Sequence, residues 1–356
     1  MTPDTPDGAP WRAQMARFPP TRYQGSKRKL LPWILDVLAP LPFTSALDAF
    51  SGSAAVGYGL KAQGKAVTCN DLLEANRRVA GALVANDRAT LTGEQAGELA
   101  QRSSDVEYDT FVSDTFGGIY YTDEENQQLD RMKGNLAAMP QGPSRDLASF
   151  ALFQACLVKR PFNLFHRRNL SLRTADVQRS FGNKTTWERP FSELLPKFAA
   201  EASGAVFEGA QPCGARAGDV LDIEGGYDLV YLDPPYVPAH TEGPDYLAYY
   251  HFLEGLCEPA TWPDRVDRST RNRRMADPPN PWSRRRRIRE LLQGVYHRHP
   301  RAILALSYRS DGVPSPDELL TDLRSERGEV SVHDAGAYRY ALSTNKRSRE
   351  LLFVAY

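Results

Sequence analysis

The chain has 356 residues, with 44 basic and 44 acidic side chains and no formal net charge. That length supports a substantial core without disulfide staples, and the even charge excludes a globally basic coat for nucleic acid. Its four cysteines (Cys69, Cys156, Cys213, Cys257) are too scattered for a CxxC motif or a disulfide framework, and no apolar run or signal-peptide pattern suggests a membrane.

Residues 1–18 open with MTPDTPDGAP and read as a flexible arm. From Thr44 short apolar strands alternate with helical periods. TSALDAF reads as a strand, AAVGYGLKAQG as a helix, KAVTCND as a strand and LLEANRRVAGALVAND as a helix. This βαβα opening predicts an α/β domain with a mostly parallel sheet covered on both faces. Residues 123–158 read as two helices, and 159–204, rich in Arg, Asn, Phe and Pro without a period, as an insertion. Strands resume with AVFEG (205–209) and YDLVYLD (227–233). The aromatic stretch YLAYYHFLEGL (246–256) reads as a helix burying Tyr249, Tyr250 and Phe252. Residues 259–290 are basic and Pro/Arg-rich, with a basic helix predicted over Arg284 to Leu292. RAILALSYR is a buried strand, and EVSVHD with RELLFVAY are expected as an antiparallel pair.

Two stretches carry chemistry. LDAFSGSAAVGYGL places small residues at a strand-to-helix turn, where a ligand could approach the backbone of Phe50, Ser51, Gly52, Ser53 and Ala54. The next strand ends at Asp71, suited to two ribose hydroxyls. With neither GxGxxG nor a P-loop lysine, the turn fits a nucleoside without polyphosphate. The same residues would also serve a tight βα turn with Asp71 capping a helix.

The second stretch is LVYLDPPY, where a buried strand ends in Asp233, Pro234, Pro235 and Tyr236. The prolines lack N–H groups and fix their φ angles, leaving carbonyl acceptors beside the Asp233 carboxylate. Two rigid acceptors and an aromatic face suit a flat ring bearing an –NH₂ group. A plain rigid turn is the alternative.

In this order the motifs resemble the Dam/DpnII-type adenine-specific (N6) DNA methyltransferases, from Arg22 to Tyr356. RYQGSKRKL resembles the family's Tyr/Trp-x-Gly-Gly-Lys segment through Tyr23, Gly25, Ser26 and Lys27, with Ser in place of the second Gly. Residues 50–54 resemble its FxGxG loop, ending in Ala instead of Gly. The resemblance implies a Rossmann-like methyltransferase fold with an antiparallel C-terminal strand and an inserted DNA-recognition region. It implies S-adenosyl-L-methionine as cofactor, with S-adenosyl-L-homocysteine as product and no metal. Cofactor contacts fall on those segments, on Asp48, on Asp71 for the ribose, on Asp219 and on Asp233. The DPPY turn is the catalytic motif, and the substrate is an adenine flipped out of double-stranded DNA.

PFNLFHRRN resembles the recognition pattern through Asn163, Arg167 and Asn169, with Arg168 where the family has tyrosine. The later Gly-x-Phe-Asn-x-Pro element has no clear copy unless RSFGNKTTW, with Lys184, takes its place. Arg suits guanine and Asn suits adenine edges, although these side chains could instead hold phosphates or pack the insertion. Ten arginines against three aspartates lie between Asp264 and Arg289, and Arg284 and Arg285 are candidate phosphate contacts. The reading is of a cytoplasmic, nucleoid-associated bacterial or phage enzyme, an orphan or one paired with a restriction endonuclease or defence proteins. RNA as substrate, or a catalytically silent DNA-binding relative, are the alternatives.

Overall fold

The protein is described here by a computed structural model covering residues 10–175, 184–337 and 348–356. Met1 to Ala9 of the expected arm and Arg179 to Asn183 of RSFGNKTTW lie outside the described residues. The strands are β1 (Ser45–Asp48), β2 (Ala66–Asp71), β3 (Cys213–Ala217), β4 (Leu229–Leu232), β5 (Val237–Pro238), β6 (Ile303–Arg309), β7 (Gly312–Val313), β8 (Val330–Ala337) and β9 (Arg349–Ala355). Seven of them form one sheet in the order β3-β2-β1-β4-β6-β9-β8, while β5 and β7 pair separately. β3, β2, β1, β4 and β6 run parallel, and β9 lies antiparallel to both β6 and β8. The expected mixed sheet is present.

Each central strand feeds two cores by simple alternation. Leu229 and Tyr231 of β4 pack with the helices Ala55–Ala62 and Glu74–Leu83, while Val230 and Leu232 face Ile288–Arg298 and Pro316–Arg327. The βα turns at the carboxyl ends of the parallel strands therefore gather on one edge, where ligands of open α/β sheets bind. Among the described residues, no helix is long and apolar enough to cross a membrane.

Four expectations shift. Residues 10–18 are packed, not loose: the helix Pro10–Met15 ties Arg12 to Asp36 at 2.8 Å and Gln14 to the Tyr58 hydroxyl at 2.7 Å, and Phe18 is buried against Tyr58. AVFEG is not a strand; its place is taken by CGARA at the sheet edge, which needs backbone pairing with β2 but little apolar content. The basic helix begins at Ile288, because Arg284 to Arg287 form the turn leading into it. Finally, the helix Phe191–Ala205, expected within the insertion, buries Leu194, Leu195, Phe198 and Ala202 in the main core. Its apolar stripe packs it into the body of the domain.

Gly57, mid-helix in Ala55–Ala62, explains how closely that helix sits on the sheet. A Cβ there would lie 2.3 Å from Cys69 Sγ and 3.3 Å from an Asp48 oxygen. Gly57→Ala is expected to destabilise the fold by about 1–3 kcal/mol through overpacking. Adding Cys69→Ala should recover much of that loss in urea denaturation, whereas equal destabilisation with and without it would refute the contact.

Candidate active site

The site begins with the sheet register. Asp48 pairs with Cys69 on one side and Tyr231 on the other, so Asp71 and Asp233, two residues beyond, flank it on the neighbouring strands. Three adjacent strands thus deliver three carboxyl groups to one edge. Asp48 Oδ2 accepts the Gly57 N–H at 2.9 Å. Burial pushes the Asp48 carboxyl up to about 8 against that hydrogen bond, with nearby Asp233 and Asp71 adding to the rise. Burial also raises Asp71, opposed by the Leu73 and Gly52 amides that donate to its two oxygens at 3.0 and 2.9 Å. Asp71 therefore braces the turns after β1 and β2 while facing the cavity; a carboxylate retains acceptor capacity after two such bonds.

A cavity of about 720 Å³ lies over this edge. It is lined by Tyr23, Gly25, Ser26 and Lys27, by Asp48, Phe50, Ser51, Gly52 and Ser53, and by Asp71, Asp219, Asp233, Pro234, Pro235 and Tyr236. Ala54 is the exception among the expected cofactor residues. It is buried in the core at φ +61°, a left-handed turn that glycine adopts more readily, and it shapes the loop without lining the cavity. Ser26 and Ser53 hydroxyls meet at 2.8 Å and stitch the N-terminal segment to the turn after β1. The Tyr23 ring stacks between Tyr246 and Tyr250, at 5.7 and 5.0 Å. Gly52, at φ +48°, lies so close beneath it that a Cβ would stand 2.8 Å from the ring.

Sequence reading missed part of the opposite wall. Trp282, from the Pro/Arg-rich segment, donates its indole N–H to Asp219 at 3.1 Å and packs edge-on against Phe50 at 4.7 Å. Asp219 also accepts the Leu221 amide at 3.0 Å. Phe50, Trp282 and Asp219 form a partly apolar wall of the cavity with one carboxylate. Phe50 and Asp219 were expected there; Trp282 was not singled out, being one Trp within a Pro/Arg-rich stretch.

At the DPPY turn, Lys27 Nζ lies 2.8 Å from Asp233 Oδ1 and 3.3 Å from Glu350 Oε1, and donates to the Tyr236 hydroxyl at 2.7 Å. Burial alone would lower the Lys27 ammonium, but Asp233 and Glu350 together raise it. Burial raises Asp233, with Lys27 pulling it down and Glu350 adding to the rise. Tyr236 thus lines the cavity with its hydroxyl anchored between Lys27 and Glu350. Glu350 was read only as part of a terminal strand.

Recognition candidates divide. Arg167 and Arg168 are exposed, and Asn163 is partly exposed at φ +55°. Asn169 is buried and donates to the Pro161 carbonyl at 3.0 Å, so it braces the turn and does not present its amide to DNA. Lys184 is exposed and pairs with Glu188 at 3.6 Å. Arg284 lies 3.8 Å from Glu242, and Arg285 is exposed with its backbone N–H on the same carboxylate. Beside them stands Phe162, 68% exposed at φ +68°, an apolar ring held outward that sequence reading passed over. This segment adjoins the cavity: the Phe165 amide donates to the Tyr249 carbonyl at 2.9 Å, and Tyr249 lines the cavity.

The chain is 25% identical, over 95% of its length and 98% of the relative's, to the Type II methyltransferase M2.HphI of Haemophilus parahaemolyticus. The model of the D12 class N6 adenine-specific DNA methyltransferases matches residues 23–255, from Tyr23 through the DPPY turn and most of the helix after it. The chain belongs to that family and is a DNA adenine-N6 methyltransferase.

Proposed function

We propose that the enzyme methylates an adenine flipped out of double-stranded DNA, using S-adenosyl-L-methionine bound along the carboxyl edge of the sheet. The observation that carries this reading is that Asp233, Tyr236, the Gly52 turn and Asp71 share one cavity. The donor set fits the cofactor: Asp71 offers an acceptor for ribose hydroxyls, Phe50 and Asp219 offer an apolar face and an acceptor to a purine, and Gly52 leaves the backbone open to close approach. When bound, the cofactor supplies an electrophilic methyl group on a sulfonium. The chain's own residues do the rest. Asp233 and the Pro234 carbonyl accept the two amino hydrogens of adenine, which aims the nitrogen lone pair and favours the positive charge arising on it. Tyr236 stacks on the base, and the cavity holds the partners in line. No thiolate is required.

Arg167, Arg168 and the outward ring of Phe162 face the duplex in this reading, where an apolar ring can fill the space left by an extruded base. The arginines after Asp264 have two roles. Arg265, Arg287 and Arg289 pair with Asp277, Glu290 and Asp322, which makes them braces. Among the described residues, Arg268, Arg271 and Arg273 have no carboxylate within 4.0 Å, and they sit in a turn closed by the Val266–Met275 bridge. They are the better phosphate contacts. Pairing with a restriction endonuclease in a cytoplasmic modification system is the setting suggested by the similarity to a Type II methyltransferase.

Asp233→Ala should reduce adenine methylation by at least about a hundredfold while leaving cofactor binding measurable by calorimetry. Near-wild-type turnover in that variant would overturn the assigned mechanism. Arg268→Ser with Arg271→Ser should weaken DNA binding regardless of sequence and flatten the log K against log salt plot by about 1 for each phosphate that these arginines neutralise; an unchanged slope assigns them to the solvated surface. Modification-sensitive long-read sequencing of DNA from expressing cells should reveal modified adenines in one sequence context, and modification confined to RNA would refute the DNA reading.

A further inference from the structure

Glu350 is fully buried on β9, beneath the DPPY turn. One of its oxygens, Oε1, accepts the Tyr236 hydroxyl at 2.6 Å and the Ser307 hydroxyl at 2.8 Å, and stands 3.3 Å from the Lys27 ammonium. Ser307 lies on β6, the strand paired with β9, so both sheet partners build this acceptor. A buried carboxylate costs several kcal/mol in lost hydration unless it is well paired. Holding a tyrosine ring could be done by a neutral acceptor at lower cost, so the charge itself calls for an explanation.

The explanation is in Lys27. Its ammonium is 2.8 Å from Asp233, the carboxylate that must accept the adenine amino group. A cation so close to a nitrogen that is itself becoming cationic opposes the reaction, strongly so in a site of low dielectric. Asp48 does not offset it, since burial keeps that carboxyl protonated up to about 8. Arg309, which also lines the cavity, is paired with Asp311 at 2.7 Å.

We propose that Glu350 is a positioning and charge-balancing residue: it offsets the Lys27 ammonium, so that this charge does not oppose the positive charge arising on the adenine nitrogen beside Asp233, and it holds the Tyr236 ring as the stacking face. The inference rests on the reading of the DPPY turn above. It extends that reading to a residue nearly a hundred positions beyond the family match.

The test compares two substitutions in single-turnover methylation. Glu350→Gln keeps the shape and an acceptor oxygen but loses the charge, whereas Glu350→Asp keeps the charge and shortens the side chain. The proposal expects Glu350→Gln to slow methyl transfer about tenfold to a hundredfold, with Glu350→Asp faster than Glu350→Gln. Affinities for S-adenosyl-L-methionine and for DNA should stay within about threefold of wild type. The reverse order, with Gln faster than Asp, means that packing alone matters and overturns the proposal. So does an unchanged rate in Glu350→Gln, or a slow rate fully accounted for by lost cofactor affinity. Should Glu350→Gln melt below the assay temperature, Glu350→Asp decides alone: a rate within about tenfold of wild type supports the proposal, and a lower one overturns it. Wild-type protein that leaves DNA adenine unmethylated would refute the functional reading itself, a result distinct from either order of the variants.

Discussion

One buried ammonium among carboxylates organises the carboxyl edge of this sheet. Three neighbouring strands end in Asp71, Asp48 and Asp233, and a fourth carboxylate, Glu350, rises from β9. Four such groups cannot all remain charged and dry at close range. The chain resolves this in three different ways. Asp48 is pushed towards its neutral form, Asp71 is satisfied by the amides of Gly52 and Leu73, and Asp233 shares Lys27 with Glu350. The differences matter because they leave distinct surfaces: an acceptor at Asp71, an anion at Asp233 and a neutral floor between them.

Lys27 can play this part only if the segment before the first strand is folded over the sheet edge. That requirement accounts for otherwise unrelated details near the N-terminus. Leu30 and Leu31 bury their side chains just after Lys27, and the Ser26–Ser53 hydroxyl contact fixes the segment sideways. Tyr23 lies against Gly52, where a Cβ would collide with its ring. The helix Pro10–Met15 and Phe18 continue the same packing against Tyr58. Residues 10–30 are therefore packed over the sheet edge in the arrangement that seats a single lysine, which the composition of the segment did not reveal.

The central sheet and most of the candidate site were legible because they obey local rules. Short apolar runs marked β1, β2, β4 and β6, and the aspartates closing β1, β2 and β4 marked the edge where a ligand would sit. β3 was not legible, since an edge strand such as CGARA is held by hydrogen bonds that any sequence can make. Glu350 was hidden for another reason. In RELLFVAY it follows an arginine at the start of an apolar run, which reads as the solvent end of a strand. Only the register of β9 against β6 brings it beside Ser307 and under Tyr236. Trp282 and the burial of Asn169 were likewise products of tertiary contact, decided by partners far away in the chain.

The link between the chemistry and DNA recognition is the helix Tyr246–Cys257, which presents a different group to each. Tyr246 and Tyr249 line the cavity, while His251 is buried on the side facing the insertion. The Tyr120 hydroxyl lies 2.9 Å from His251 Nε2 and 2.6 Å from the carbonyls of both Phe165 and Asn272. Burial lowers His251 to about 3, so the imidazole is neutral and serves the network by hydrogen bonding, without charge. Arg160, buried beside it, donates to the carbonyls of Leu164 and Arg167 at 3.1 and 2.9 Å. The turn at 162–168 and the arginine-bearing turn around Asn272 are consequently joined to one another and to the same helix. The proposed base-contacting surface is thereby tied to the helix that lines the cavity. Under that proposal, the target sequence changes through exposed side chains such as Arg167 and Arg168, while the buried joint beneath them is kept.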